Sequence, residues 1–590
     1  MFFLIYLACG LYLWVLGAAV LGEWKTARSL FRAPWLGYAV LIGCLQIAHF
    51  LTAIDPPFSR TFLAISVLCA SGVVAFKFLR NPLKAKQLPA MSPLLWFALL
   101  VAVAWLAFRP VFNIATQKIV HYDVGYYYLQ TIAWTTAFPI VPGLGNLLLH
   151  LGFNQSAFLA PAFLDSLGPH LWSYSLLGGV LPWLGLTLSV FGLVQGVCAL
   201  FLLRRRLEPI ETAYAISLPA WIYTLLINNI SGNSPDVALA CLQTHLFLCF
   251  ASFLGAKGSP AVRLQLTELI VLCALSVCVK LNSVFFAAAI GLLSIGVALN
   301  HIGVRRLFRG KQAIYATLAV LLLGVPWIAR GIIVSGYPLF PSTALVVPVA
   351  WRVPKADVAN FYDITVDWGR QPYPDLTKVR NSFAWVPEFL QRNWSMTDQF
   401  AWPLSLGGVW TLLLLALAWK RINFRQGVRH MLLLILPVAF TLLMWFFTAP
   451  NPRYLGSVTW LLPLAPSLAL IKGISLSGFA FVMLTFCVNY FALGTLRYNT
   501  EWSWKKPAPH SPEIPKVDLR QGENPFGVRL FYPRKGDQTF DAPLPSAKAL
   551  HPTLKYLDET RGLAGGFCDV RIEGRDSGNE DRSARRRVAE

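Results

Sequence analysis

His121 to Asn154, HYDVGYYYLQTIAWTTAFPIVPGLGNLLLHLGFN, is too polar to cross a bilayer, yet it lies between segments apolar enough to do so. The stretch reads as a folded loop on a membrane surface. Asp123 stands before a short amphipathic helix whose tyrosines and Trp134 suit a headgroup layer, and Pro139, Pro142, Gly143 and Gly145 turn the chain back. Two readings of Asp123 stand level here: the centre of an active site, or the N-cap of the helix that follows, since Asp is a favoured cap.

Working outward, the chain has 590 residues, 56% of them hydrophobic and 13% charged. That is more apolar surface than a soluble core uses, so lipid is the solvent for most of it. The net charge of +22 would point to nucleic acid in a soluble chain. Here Lys and Arg cluster in short connectors between apolar runs, which is an orientation signal, and no nucleic-acid partner is expected. Of the ten cysteines, all but Cys568 lie in apolar segments, without the spacing of a disulfide framework or a zinc site. The opening MFFLIYLACGLYLWVLGAAVLG lacks a positive n-region and reads as a first span rather than a cleaved signal.

Apolar runs give about fourteen spans. They begin near Phe2, Pro34, Thr61, Ser92, Trp183, Ile210, Val237, Leu266, Leu281, Ala313, Trp402, Met431, Leu455 and Ile474. The basic connectors Glu23–Pro34, Lys77–Gln87, Arg204–Arg206, Arg305–Lys311 and Lys420–Arg429 all fall at alternate, odd-numbered connectors of this count, on one side, and are assigned to the cytoplasm. The Asp55 turn, the Asp123 loop, the Lys280 tip, Val334–Ala401, Ala449–Arg453 and both termini are then exterior, in a multi-pass protein of the cell (inner or plasma) membrane. The fold expected is all-α and integral to the membrane. Residues 1–90 hold three spans, 91–333 the membrane core with its exterior loop at 110–171, and 334–401 an aromatic-rich exterior loop. Residues 402–496 carry the last spans, 497–570 form a small exterior segment, and 571–590 are a charged tail expected to be disordered.

Asp55, Asp123, Asp236, Lys280, Arg330 and Arg453 all fall at exterior ends of spans. A cation inside a span costs about 2.5–3.5 kcal/mol on insertion scales, so Lys280 and Arg330 call for anionic partners. Each alone also reads as a snorkelling side chain. Ser234-Pro235-Asp236 has the form of a helix start, with a capping Ser, a first-turn Pro and an acid facing the dipole, and Asp55 reads as a turn residue. His121 and His150 flank Asp123. Without diagnostic ligand spacing they do not define a metal site, no cofactor is indicated, and a divalent cation is left open.

A sugar on a lipid phosphate has a leaving group that is already a stabilised anion, so its departure needs positive charge more than a proton donor. One carboxylate acting as base on an acceptor hydroxyl then suffices, whereas glycoside hydrolysis ordinarily uses two. A span followed by a large exterior loop with Asp123 ahead of an amphipathic helix resembles the GT-C superfamily of polytopic glycosyltransferases, which use polyprenyl-phosphate sugars. VKLNS at Val279–Ser283, PWIARGIIVSGYPLFP at Pro326–Pro341 and NPRY at Asn451–Tyr454 look similar too. YDVGYYYLQTIAW, VPGLGNL and GDQTFDAPLPS are similar to an uncharacterised group of large bacterial membrane proteins. The resemblance implies a GT-C-like core over roughly Ser92 to Ile471, with Asp123 as catalytic base. It also implies that Lys280, Arg330 and Arg453 take the carrier phosphate, and the substrate site expected around them includes His121, Tyr122, Tyr126, Asp236 and Tyr337. Two features depart from the superfamily: three spans precede the first GT-C-like helix, and the loop lacks a paired acid. The expected partners are a lipid-linked sugar donor, membrane lipid, and a glycan or protein acceptor of the cell envelope. A flippase or transporter of lipid-linked glycans, or a non-catalytic assembly component, would use the same cationic face without breaking a bond.

Overall fold

A computed structural model describes residues 2–21, 27–80, 93–117, 119, 121–168, 172–198, 209–226, 230–256, 258–372, 375–380, 382–395, 400–418, 424–470 and 514–573. Ten helices among these are long and apolar enough to cross a membrane, which makes the chain a multi-pass, mainly helical membrane protein. The other runs expected to span differ for local reasons. Near Ile210 the run is two short helices, Pro209–Ile216 and Leu218–Leu226. They break at Ser217, two residues ahead of Pro219, which has no N–H to give the Ala215 carbonyl, and the Ser217 hydroxyl donates to the Tyr214 carbonyl and accepts from the Trp221 indole. Near Leu455, Pro452, Pro463 and Pro466 and a left-handed Gly456 divide the run into Pro452–Leu455, Val458–Leu461 and Leu464–Leu470. The run near Trp402 is the helix Ala401–Ala418, and the one near Ile474 lies outside the described residues.

Small residues let the first two spans cross closely. A Cβ on Gly17 would lie 1.7 Å from the Ala33 carbonyl oxygen, and one on Gly37 would lie 1.8 Å from that of Leu13. The helix Pro235–Phe253 is buried along nearly its whole length, so its first turn, with Asp236, sits in the middle of one end of the bundle. The Asp123 loop covers that same end. Backbone bonds tie it down: Ile54 N–H to Thr135 O, Ile140 N–H to His49 O, and Gly143 N–H to Ile333 O. Asp55 accepts the Phe58 N–H at 2.9 Å and so caps the helix Pro56–Arg80, the turn role expected of it.

Two further layers lie over the loop. Tyr337, Phe340, Val353, Val358 and Phe361, from the connection after Ser335 and the helix Lys355–Arg370, form a small core against Leu149 and Phe153. The helix Val386–Ser395 packs Phe389, together with Trp385, against Trp445 and Phe446 of the span Phe424–Phe447. Residues 514–573 add two antiparallel hairpins, Leu519–Glu523 with Arg529–Pro533 and Leu554–Tyr556 with Phe567–Asp569. This segment docks on the Asp123 loop rather than standing apart from it. Phe567 N–H donates to Pro142 O, and a Cβ on Gly143 (φ 66°) would strike the Phe567 carbonyl oxygen at 2.0 Å. Burial beneath it changes the reading of the helix after Asp123. Leu129, Gln130, Thr131, Ile132, Trp134 and Thr135 are all buried, and Trp134 meets the edge of Phe567 instead of a headgroup layer. Of the tail expected to be disordered, residues 571–573 are ordered and Arg571 is ion-paired, while 574–590 lie outside the described residues.

Candidate functional site

Asp123 opens a five-residue π-helical turn, Val124–Tyr128, that continues into the helix Leu129–Ala137. Its side chain makes no capping bond, so of the two readings of this residue, capping is not how the carboxylate is used. Instead Oδ2 accepts from Nη2 of Arg453 at 2.8 Å, with the Tyr128 hydroxyl at 3.5 Å. The wide turn has a local cause. The Gly125 carbonyl accepts the N–H groups of both Thr539 and Phe540, at 2.7 and 2.8 Å, and Gln130 Nε2 donates to the carbonyls of Phe540 and Ala542. The docked C-terminal segment thereby takes up a carbonyl within the turn, and widened turns of this kind are found at functional sites. Tyr122 is held by its hydroxyl to Asp537 and by its carbonyl to Gln538.

Arg453 lies in the short 3-10 turn Pro452–Leu455, whose N-cap Asn451 accepts the Arg453 N–H at 3.1 Å. Its guanidinium reaches three groups: Asp123, His121 Nε2 at 2.8 Å, and Oδ2 of Asp236 at 3.2 Å from Nε. Because arginine only donates, His121 accepts with Nε2 and carries its proton on Nδ1. Asp236 is 1% exposed. The expected cap is present beside it, with Ser234 Oγ accepting the Asp236 N–H at 3.2 Å, and the carboxylate is thereby free to bind Lys280 as well as Arg453. Lys280 Nζ also lies over the Tyr454 ring, 5.3 Å from its centre.

His121, Asp123, Asp236, Lys280 and Arg453, five of the residues expected from sequence, therefore form one chain of contacts. Tyr122 and Tyr126 line the space beside it, a cavity of about 1000 Å³ that also exposes Asp123 and Arg453. Arg330 and Tyr337 are not brought there. Arg330, on the helix Lys311–Ser335, is 6% exposed, does not line the cavity and, among the described residues, leaves Nη1 without a hydrogen-bond partner. Tyr337 is wholly buried in the loop core and donates to the Val353 carbonyl at 3.0 Å. Sequence reasoning missed the opposite wall, made by Asp357 and Trp368 of the helix Lys355–Arg370 and by Lys548, His551 and Asp569 of the C-terminal segment. Asp357 and Asp569 are clamped there by one guanidinium, that of Arg571. Asn451 and Tyr454, beside Arg453 in NPRY, were missed lining residues that carried a local signal. Among the described residues no group of three His, Cys, Asp or Glu is placed to hold a metal ion.

Residues 1–460 match the family described as Domain of unknown function (DUF8201). The chain belongs to that family. No curated protein and no solved structure matches it. Asp123, Asp236, Lys280 and Arg453 all lie inside the DUF8201 region, whereas the wall formed by Lys548, His551 and Asp569 lies beyond it.

Two expected results arise from this geometry. Burial lowers the pKa of His121 to about 4, with Arg453 adding to the effect against Asp123, and burial likewise lowers that of His150 to about 4. Unfolded histidine titrates near 6.5, so below that pH the unfolded chain binds protons that the folded one refuses. The stability from these two rings is full above about pH 6.5 and is lost as the pH falls towards 4. Thermal melts in detergent should show a lower Tm at pH 4.5 than at pH 7, and His150→Phe should reduce that difference.

The second result concerns Gly125. A Cβ there would lie 2.6 Å from the Phe540 ring, and Phe540 is itself held in the left-handed region at φ 46°. Gly125→Ala should cost about 1–3 kcal/mol by overpacking. Hydrogen exchange of the 539–542 amides should rise, and adding Phe540→Ala should restore part of the protection. An unchanged exchange profile in Gly125→Ala would mean that the segment does not bear on this turn.

Proposed function

We propose that this protein is a membrane glycosyltransferase that moves a sugar from a polyprenyl-phosphate donor to a cell-envelope acceptor on the exterior face. The observation that carries the reading is a loop carboxylate, Asp123, that makes no cap bond, is oriented by Arg453, and opens on a large aromatic-walled cavity at one end of a membrane bundle. In the step proposed, Asp123 takes the proton of an acceptor hydroxyl, and the oxygen forms a bond to the anomeric carbon. The bond from that carbon to the phosphate oxygen breaks, its electron pair leaving with the carrier phosphate. Tyr122, Tyr126, Phe361 and Trp368, all on the cavity wall, offer ring faces against which a sugar packs. No metal ion is assigned a part in this step.

About fourteen spans of a GT-C-like arrangement, with basic connectors cytoplasmic and both ends outside, belong to the same proposal. A reporter fused at Arg425 should read as cytoplasmic, and an exterior signal there would reverse the scheme. For the activity, purified protein offered a panel of polyprenyl-phosphate sugars and envelope glycans should yield a glycosylated product detectable by mass spectrometry. Movement of intact lipid-linked glycan across vesicles, with no product from any donor, would favour a flippase instead.

A further inference from the structure

A transfer of this kind needs positive charge on the departing phosphate, and the cations expected to supply it are already engaged. Lys280 is bound to Asp236, and Arg453 to Asp123 and Asp236. Drawing either onto a phosphate would leave Asp236, which is 1% exposed, with a weakened counter-ion, at a cost of several kcal/mol for a buried charge. Arg330 does not reach the cavity. The charged residues that do line it are Asp123, Asp357, Arg453, Lys548 and Asp569. Asp357 and Asp569 share Arg571. His150 and His551 also line the wall, and burial favours the neutral form of both rings. Lys548 is different: it is exposed, and among the described residues it makes no hydrogen bond or ion pair. Its charge bears on His150, as does that of Asp123, so His150 lies within electrostatic reach of both across the same cavity.

We infer that Lys548, presented by the C-terminal segment, is the residue that holds the phosphate of the donor, while Arg453 and Lys280 serve to hold Asp123 and Asp236. The inference rests on the reading of the cavity as a donor site. It divides the labour between two parts of the chain. The base and its supporting ion pairs come from the region 1–460, and the anion contact comes from residue 548, beyond the family match. A lysine suits this part: a compact charge on a flexible stem, able to follow the phosphate as its bond to the sugar lengthens.

Farnesyl phosphate, with farnesol as its uncharged counterpart, is the probe. Binding of each to the full-length protein in detergent is measured by isothermal titration calorimetry, at low and at moderate salt. The unmodified protein should bind the phosphate at least about tenfold more tightly than the alcohol, consistent with one charge-assisted contact. Lys548→Ala should lose most of that preference, and Lys548→Arg should keep it. Since Lys548 is exposed and makes no hydrogen bond or ion pair among the described residues, the Ala variant should melt at the unmodified temperature, so a loss of binding is not a loss of fold. Inorganic phosphate serves as competitor. Displacement of farnesyl phosphate by millimolar phosphate would assign the contact to the phosphate group alone rather than to the lipid as a whole, and Lys548 would still be its ligand. If Lys548→Ala keeps the full preference for the phosphate, Lys548 is not the ligand and the donor reading survives. If the unmodified protein does not distinguish farnesyl phosphate from farnesol, both the assignment and the donor reading fall together.

Discussion

Asp123→Asn should leave the protein inserted and folded while lowering sugar transfer by a factor of about 100 or more, the range expected for loss of a general base. The substitution is nearly isosteric. Asn still accepts a hydrogen bond from Arg453 Nη2, 2.8 Å away, and no helix cap is lost because Asp123 forms none. What disappears is the ability to take a proton. The geometry of the turn is set separately, by the two N–H groups donated to the Gly125 carbonyl, so hydrogen exchange over 124–130 should be unaltered. Equal transfer rates for the two proteins would remove Asp123 from the chemistry. A lowered rate with raised exchange in the turn would make its part structural.

The second large effect is on stability and belongs to Asp236→Asn. Read as a helix-start residue, this acid would be expected to tolerate the change with little loss. The structure has Ser234 as the cap, as expected, and places the Asp236 carboxylate between Lys280 and Arg453 at 1% exposure. Removing its charge takes from Lys280, itself 8% exposed, the one ion-pair partner it has among the described residues. Breaking a buried pair from one side costs about 3–5 kcal/mol. Asp236→Asn should therefore lower the Tm in detergent markedly, and Lys280→Met introduced with it should recover much of the loss, because the uncompensated cation is then gone. If each single substitution melts at the unmodified temperature, these groups are solvated and the buried network is not what fixes this end of the bundle.

Some of this was legible in the sequence. Unbroken apolar runs mark the ten long helices, and Ser-Pro-Asp at 234–236 does begin a helix as its residue types dictate. The collection of Asp123, Asp236, Lys280 and Arg453 at one end followed from counting spans, since ionisable residues at alternate helix ends share a face. Whether Arg330 joined them could not be read that way. Span counting fixes the depth of a residue in the bundle but not the direction in which its helix turns it. The breaks in the runs near Ile210 and Leu455 do carry local signals, Pro219 in the first and Pro452, Gly456, Pro463 and Pro466 in the second, but a count of apolar residues passes over them because the residues around them remain apolar.

The far wall of the cavity was not legible at all. Residues 536–546 bind the Asp123 turn from more than 400 positions away in the chain: the side-chain amides of Gln130 and Gln538 donate to the Phe540 and Tyr122 carbonyls, and the backbone N–H groups of Thr539 and Phe540 donate to the Gly125 carbonyl. Pairing with backbone groups leaves no mark in the type of the residues that supply them. The lack of a side chain at Gly125 is its one visible trace, and it becomes meaningful only with the Phe540 ring lying against it.

The central claim is that this cavity breaks the bond between a sugar and its carrier phosphate. Phosphorus NMR of the unmodified protein in proteoliposomes, incubated with a polyprenyl-phosphate sugar and an envelope acceptor, reads that bond directly. The account predicts that the phosphodiester signal declines and a free polyprenyl-phosphate monoester signal grows, in step with glycosylated acceptor and only when acceptor is present. A phosphodiester signal that stays constant for every donor, while intact lipid-linked sugar changes leaflet, would contradict it.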